Sequence, residues 1–296
     1  MPLDPSLVGR EMQPLTGLVT ADDIRHFAGA IGDTNPIFHD PAAAELAGFS
    51  GLPATPTFVT RFHISFDEAG LDPEHSQVLH AEQEYEYERP LYAADTFTGR
   101  YRVASIRQSG RTGGMAIMGI ELQGDVAGER VVTGRSTLIV RDAPAQGAAA
   151  GAAASASKPA KPTQEPDGKA IPSLTKHITQ QQIDAYADVS GDHNPIHINP
   201  EAARAVGLDG TIAHGMLSMA FLGQMLTDWL SEQGASSGWV RRLRARFQAM
   251  VRPGDTLTCH GVLGELGEQG QRIEVWIDNQ HSERIITGDA DVVLAS

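Results

Sequence analysis

The stretch GDTNPIFHDP at residues 32–41 returns as GDHNPIHINP at residues 191–200, and the offset of 159 reaches well beyond the two turns. It carries Thr20 onto Thr179, Ile24 onto Ile183, Gly48 onto Gly207, Gly51 onto Gly210 and Ala54 onto Ala213. A chain of 296 residues that repeats itself once has room for two ordinary domains, each with its own core. Two copies point to a pseudo-dimer of one domain, because a solenoid needs many. Between them, residues 143–170 are rich in Ala, Gly, Ser and Pro and nearly free of large apolar side chains, which reads as a flexible linker. The expected organisation is a first domain over 1–142, the linker over 143–170 and a second domain over 171–296.

Each copy reads as a helix, the turn, a short helix, a longer helix and then several strands. In the second copy Thr179 caps a helix running toward Val189, and Gly191 supplies a left-handed stop. INPEAARAVG gives a short helix closed by Gly207. GMLSMAFLGQMLTDWL is apolar almost all round, so it belongs inside the domain. Strands follow at WVRRLRARFQAMV, DTLTCHGVLGEL, QRIEVWIDNQ and RIITGDADVVLA, where alternation and β-branched residues replace the helical period. A buried helix followed by antiparallel strands is an α+β unit, a sheet wrapped round a helix.

Pro195 keeps Asn194 out of helical geometry, so Asp192 to His197 is expected as a bent loop that can turn a carboxylate and an imidazole toward one small molecule. Such a pair suits general acid/base work. Alone, the stretch would be an Asx turn beside a surface histidine. Here AHGM follows, with Gly215 at the mouth of the buried helix. The first turn of a helix offers unpaired N–H groups and a positive dipole end to a carbonyl oxygen gaining charge. In the first copy Phe38 stands in the position of His197 and Pro56 in that of Gly215. Phenylalanine transfers no proton and proline has no N–H, so the first copy keeps the fold and loses the reaction.

A formal charge of −14 argues against unguided binding to nucleic acid or an anionic membrane. No apolar run is long enough to cross a bilayer, and the N-terminus lacks the basic start and apolar core of a signal peptide, so the cytoplasm is expected. Cys259, the single cysteine, rules out an internal disulfide and a cysteine zinc site. His193 and His197 have metal-like spacing, but Pro195 between them spoils the helix that would align both rings, and no metal is expected. An anionic ligand must therefore meet a local basic patch. VRRLRARF offers Arg242, Arg244 and Arg246 on one face, and an offset of 160 places Glu82, Glu84 and Glu86 opposite them. The two rows form either a cross-strand ladder at the seam between halves or a phosphate-binding face. The ladder is favoured for most of the row, with an outlying arginine left for a ligand's phosphate.

These residues carry a resemblance. YADVSGDHNPIHINPEAARAVGLDGTIAHGM is similar to the hydratase-2 motif of MaoC-like (R)-specific enoyl-CoA hydratases and (3R)-hydroxyacyl-thioester dehydratases. The whole chain resembles the double hot-dog members of that family, in which a degenerate N-terminal repeat is fused to a catalytic C-terminal one. Its order also resembles a fusion of the two subunits of mycobacterial-type heterodimeric hydroxyacyl dehydratases. The resemblance implies two tandem hot-dog domains, each a sheet wrapped round a central helix, forming an intramolecular pseudo-dimer with further homodimerisation left open. It implies reversible syn addition of water to a trans-2-enoyl thioester of CoA or an acyl-carrier protein, without metal or redox cofactor. Asp192 and His197 would activate the water and handle the proton at C2, Gly215 N–H would polarise the thioester carbonyl, and Asn194 and His214 would support them. Some relatives have a serine along the buried helix where this chain has Gly223, which leaves Ser218 as the remaining third candidate. A hot-dog thioesterase and a non-catalytic acyl-thioester binder are the alternatives.

Overall fold

The computed structural model describes residues 3–64, 68–71, 76–109, 115–142, 168–233 and 238–294. The first half contains β1 (Leu15–Leu18), α1 (Ala21–Ala30), α2 (Pro41–Leu46), β2 (Ser76–Tyr87), β3 (Thr96–Ser109), β4 (Met115–Val126) and β5 (Glu129–Asp142). The second contains β6 (Leu174–His177), α3 (Gln180–Ser190), α4 (Pro195–Ile198), α5 (Pro200–Ala205), α6 (Gly215–Glu232), β7 (Trp239–Phe247), β8 (Thr256–Gly267), β9 (Gly270–Asn279) and β10 (Arg284–Val293). The strands form one sheet in the order β1-β3-β4-β5-β2-β7-β10-β9-β8-β6, a sequence of positions that mirrors itself about the β2–β7 join. Two hot-dog domains in tandem thus make the expected pseudo-dimer.

The duplication extends to fine conformation. Thr20 and Thr179 cap their helices alike, accepting from the N–H of Asp23 at 3.0 Å and of Gln182 at 3.1 Å. Gly32 and Gly191 both take left-handed φ, +65° and +78°, which other residues adopt only at a cost. Even the irregularities match: Ala81 in β2 and Arg241 in β7, which correspond at the offset of 160, are each skipped in the pairing with the neighbouring strand and form β-bulges.

The halves differ at their centres. Every residue of α6 from Met216 to Thr227 is buried, so the second half of the sheet wraps this helix. The corresponding stretch of the first half was expected to be a long helix too, yet the described residues there make only one 3-10 turn, Phe58–Arg61. Pro53, Pro56 and the β-branched Thr55, Thr57, Val59 and Thr60 account for the difference, because each disfavours the helix. Phe58 and Val59 pack in one core cluster, and Leu3, Met12, Ala69 and Leu71 pack in another with Val103, Met118 and Leu138 of the first half's strands.

Two local expectations need correction. Asp192 to His197 is not entirely irregular: Pro195 opens the one-turn helix α4, where a missing N–H does no harm because that position has no acceptor anyway. The linker residues 143–167 lie outside the described residues, but Gly168 to Ala170 are already engaged, with Ala170 bridged to Val262.

At the seam, Glu82, Glu84 and Glu86 are the register partners of Arg246, Arg244 and Arg242. The side chains pair mainly on the diagonal, Arg242 with Glu84 at 2.6 Å, Arg244 with Glu82 at 2.6 Å and Arg246 with Glu82 at 2.7 Å. Arg242 also holds Asp289 of β10. Arg241, which simple alternation puts on the other face, is turned outward by the bulge and reaches Glu86 at 2.8 Å. Carboxylates therefore hold Arg242 at two nitrogens and Arg244 and Arg246 at Nε, which is the ladder favoured for most of the row. Arg246, 59% exposed at the end of the row, is the most open of the three.

Changing Glu82, Glu84 and Glu86 together to Lys should lower the thermal midpoint, since each cross-seam pair is worth about 0.2–1 kcal/mol and repulsion adds to the loss. Adding Arg242, Arg244 and Arg246 to Glu should recover part of it, because Arg135 and Asp289 also hold Glu84 and Arg242 from outside the two rows. A mutant cycle on thermal unfolding measures the coupling, and a coupling of zero would rule out the ladder as a stabilising element.

Candidate active site

Helix α3 ends at Gly191, and the chain then turns Asp192 inward. Its carboxylate Oδ1 accepts from the N–H of Asn194 at 3.2 Å, while Asn194 Oδ1 caps α4 by accepting from the N–H of Ile196 at 3.3 Å. Asn194 thus shapes the loop rather than contributing a free side chain. His197, buried in α4, donates Nδ1–H to the carbonyl of Ile212 at 2.8 Å. A carbonyl can only accept, so the hydrogen sits on Nδ1 and Nε2 is left as a lone-pair acceptor. By the same reasoning His214 donates Nε2–H to the backbone carbonyl of Asp192 at 2.9 Å, leaving its buried Nδ1 without a partner. The two imidazoles lie 3.8 Å apart between centroids, and one ligating atom from each of Asp192, His197 and His214 falls within 4.8 Å of the others. His193 turns away to Asp188 at 3.2 Å.

Burial pushes the His197 imidazole below its ordinary value, against the opposing pull of Asp192. His214 is pushed down to about 4, by burial first and by His197 next. For Asp192 burial opposes ionisation, but His197, His214, the Asn194 N–H and His63 together outweigh it and hold the carboxyl below its ordinary value. At neutral pH the site is a carboxylate beside two neutral imidazoles.

Gly215 is the first residue of α6, and the preceding His214 offers no side-chain cap. The Gly215 N–H finds no acceptor among the described residues, so the positive end of an 18-residue helix faces the dyad. A Cβ on Gly215 would sit 3.2 Å from the Phe247 ring, which explains glycine there. Ser218 lies one turn further along, 2% exposed.

In the first half the mirrored positions hold Phe38, Thr55 and Pro56, and they line an apolar cavity of about 430 Å³, part of it open to solvent. Its other walls include Tyr87, Trp239 and Val240. The cavity therefore lies at the mirror of the dyad and not beside Asp192 itself. His39 faces elsewhere, its Nε2–H donating to the Asp33 carbonyl at 2.7 Å. Asp33 persists, 1% exposed, with Oδ2 unpartnered and its carboxyl pushed up to about 6, chiefly by burial.

Residues 161–285 match the family model of the MaoC like domain, and residues 6–134 match that of the FAS1-like dehydratase domain region. A UPF0336 protein of Streptomyces avermitilis is 39% identical over 151 residues, 48% of this chain and 98% of its own length. The chain belongs to the MaoC-like dehydratase family. A UPF0336 protein of Thermobifida fusca is 40% identical over 135 residues, 43% of this chain and 86% of its own. A solved MaoC-like dehydratase is 25% identical with a TM-score of 0.79, covering 98% of this chain and 99% of that one. A Mycobacterium tuberculosis protein described as a double hotdog fold shares the fold at a TM-score of 0.67 and 13% identity, over 97% of this chain and 96% of its own. MaoC-like dehydratases are hydro-lyases. The loop that brings Asp192 and His197 together in this MaoC-like chain was legible in its motif, whereas Ile212, which orients His197 through its carbonyl, and the first-half residues His63 and His80 near Asp192 lay in no motif.

The buried Asp33 yields a stability test. Its folded value of about 6 lies above the ordinary 3.8, so its contribution favours folding at low pH and is lost as pH rises through about 6. Asp33→Asn should stabilise the fold at pH 7.5 by an amount on the order of 1–3 kcal/mol, read as a higher thermal midpoint, with the gain vanishing near pH 4. The variant should keep its turnover; loss of activity as complete as in Asp192→Asn would place chemistry in the first half.

Proposed function

We propose that the second half catalyses the reversible hydration of trans-2-enoyl thioesters to (3R)-hydroxyacyl thioesters in fatty-acid metabolism. The observation that carries this reading is the ionised Asp192 and neutral His197, with ligating atoms within 4.8 Å, beside the open N-terminus of α6. Asp192 accepts a hydrogen bond from the water, and His197 Nε2 removes a proton as the water oxygen bonds to C3. The C2–C3 π electrons move toward the thioester oxygen, where Gly215 N–H and the helix dipole hold the enolate charge. As the enolate collapses, C2 takes the proton from His197 Nε2. One base that removes and returns the proton from one side gives syn addition, and Asp192 stabilises the imidazolium in between. His214 fixes the backbone of Asp192, and Asn194 holds the loop.

No metal or redox group enters these steps. The carrier is CoA or an acyl-carrier protein, which share the thioester and the pantetheine arm. Membership of a hydro-lyase family favours hydration over thioester hydrolysis. Among the described residues no helix is long and apolar enough to cross a membrane.

Asp192→Asn and His197→Ala should each lower crotonyl-CoA hydration by about a hundredfold or more, with thermal midpoints near that of the native chain. Chiral analysis should find the (3R) product; release of free CoA without hydration would support the thioesterase instead. Because His197 must be neutral to take the proton, the acid limb of kcat/KM should fall below the ordinary imidazole value of 6.5. Phe38→Ala should leave crotonyl-CoA turnover intact while changing the relative rates with octenoyl- and dodecenoyl-CoA. A large loss with crotonyl-CoA would count against a non-catalytic first half.

A further inference from the structure

The first half meets the site of the second through the start of β2. Leu79 packs against the small cluster of Ile196, Ala203, Leu208 and Ile212. Ile196 precedes His197 in the chain, and the Ile212 carbonyl orients its ring. The next residue, His80, stands immediately before the Ala81 bulge. Its ring lies edge-on to Phe247 with centroids 6.1 Å apart, and Phe247 is the ring that a Cβ on Gly215 would meet at 3.2 Å. His63, from the same half, brings Cε1 within 3.0 Å of the corresponding position on Gly191, beside Asp192. His80 is partly buried and makes no hydrogen bond to any described residue, so neither ring nitrogen is committed to a protein partner.

The duplication provides an internal comparison. At the offset of 160 the counterpart of His80 is Val240, immediately before the matching bulge at Arg241. Val240 lines the apolar cavity beside Phe38 and Pro56, which supply neither the imidazole of His197 nor the N–H of Gly215. The same strand position is therefore polar where it faces the dyad and apolar where it faces the lost site. A merely structural histidine, packed on Phe247, gives no reason for that difference.

We propose that His80 is a substrate-contacting residue supplied by the non-catalytic half, a neutral imidazole that hydrogen-bonds the polar arm of the acyl thioester next to the reacting carbons. The group it meets is a neutral carbonyl or amide of the thioester and its pantetheine arm, a chemistry common to CoA and carrier-protein substrates. Burial, the leading effect, lowers the ring's pKa and keeps it neutral at neutral pH, which suits a neutral polar partner. The contact rests on the hydration reading for its place beside C2 and C3, but the binding itself can be measured without turnover.

The test compares His80→Phe, which keeps the packing on Phe247, with His80→Ala and with His80→Gln, which keeps a donor and an acceptor. Each is assayed for crotonyl-CoA hydration and, by calorimetry, for affinity toward saturated butyryl-CoA. His80→Phe and His80→Ala should raise KM and Kd about three- to tenfold, the worth of one neutral hydrogen bond. The loss should fall on these and not on kcat, as for an interaction made equally in ground and transition states. His80→Gln should regain most of the affinity, with the thermal midpoint of His80→Phe close to native. KM and Kd within twofold of native in His80→Phe would overturn the proposal, as would a hundredfold fall in kcat at unchanged affinity. If the native chain binds butyryl-CoA but does not hydrate crotonyl-CoA, the hydration reading fails and His80 is judged on Kd alone. If the native chain binds no thioester, both fail.

Discussion

The pairing of β2 with β7 is the interaction on which the rest of the molecule depends. Each strand would otherwise be the open edge of a five-stranded sheet, exposing unpaired N–H and C=O groups to any passing strand. Joined, they make one ten-stranded sheet, and the arginine and glutamate rows fix which residues face one another. The helices are tied across the same boundary. Lys176 of the second half donates to the carbonyls of Ile31 and Gly32 at the end of α1, and Arg61 of the first donates to the Val189 carbonyl near the end of α3. Carrying both partners on one chain makes their encounter intramolecular and independent of concentration.

A permanent partner permits asymmetry. A homodimer must build both of its sites from one sequence, whereas here each half is free to change alone. The first half has exchanged the helix-opening glycine for Pro56 and the imidazole for Phe38, and its described residues form no counterpart of the long helix. What remains at the mirrored place is an apolar cavity and an isolated carboxyl, Asp33, held against its preference for water. The fold tolerates that carboxyl because Asn35, capping the next turn, still needs the bond from its own N–H to Asp33 Oδ1 at 2.9 Å.

The electrostatics of the second half follow from burial acting differently on acids and bases. Taking His197 and His214 out of water favours their neutral forms. The same burial would neutralise Asp192, but the imidazoles and the Asn194 N–H oppose it and prevail. Two backbone carbonyls, those of Ile212 and Asp192, decide the tautomers by accepting from one nitrogen of each ring. The lone pair of His197 Nε2 is thereby left uncommitted, which no side chain in the motif could have arranged alone.

By itself the sequence determined the duplication, the caps Thr20 and Thr179, the buried helix α6, the Asp192 and His197 pair with Gly215 behind it, and the exchange of His197 and Gly215 for Phe38 and Pro56 in the first copy. All of these rest on local relations, such as a capping hydroxyl three residues from its N–H, an apolar period or a proline where an N–H is needed. The two rows at the seam were also legible, because a period of two and an internal repeat together fix which residues can meet. Only the tertiary structure decided that the described residues of the first half form no counterpart of the long helix, that a bulge brings Arg241 into the ladder, that Ile212 orients His197 and that His80 approaches the candidate site in the other half. A bulge reverses the face of a strand residue with no signature in composition, and a carbonyl oxygen is the same atom in every residue. The approach of His80 to Phe247 spans 167 positions of chain, and no local rule links residues so far apart until the sheet has closed.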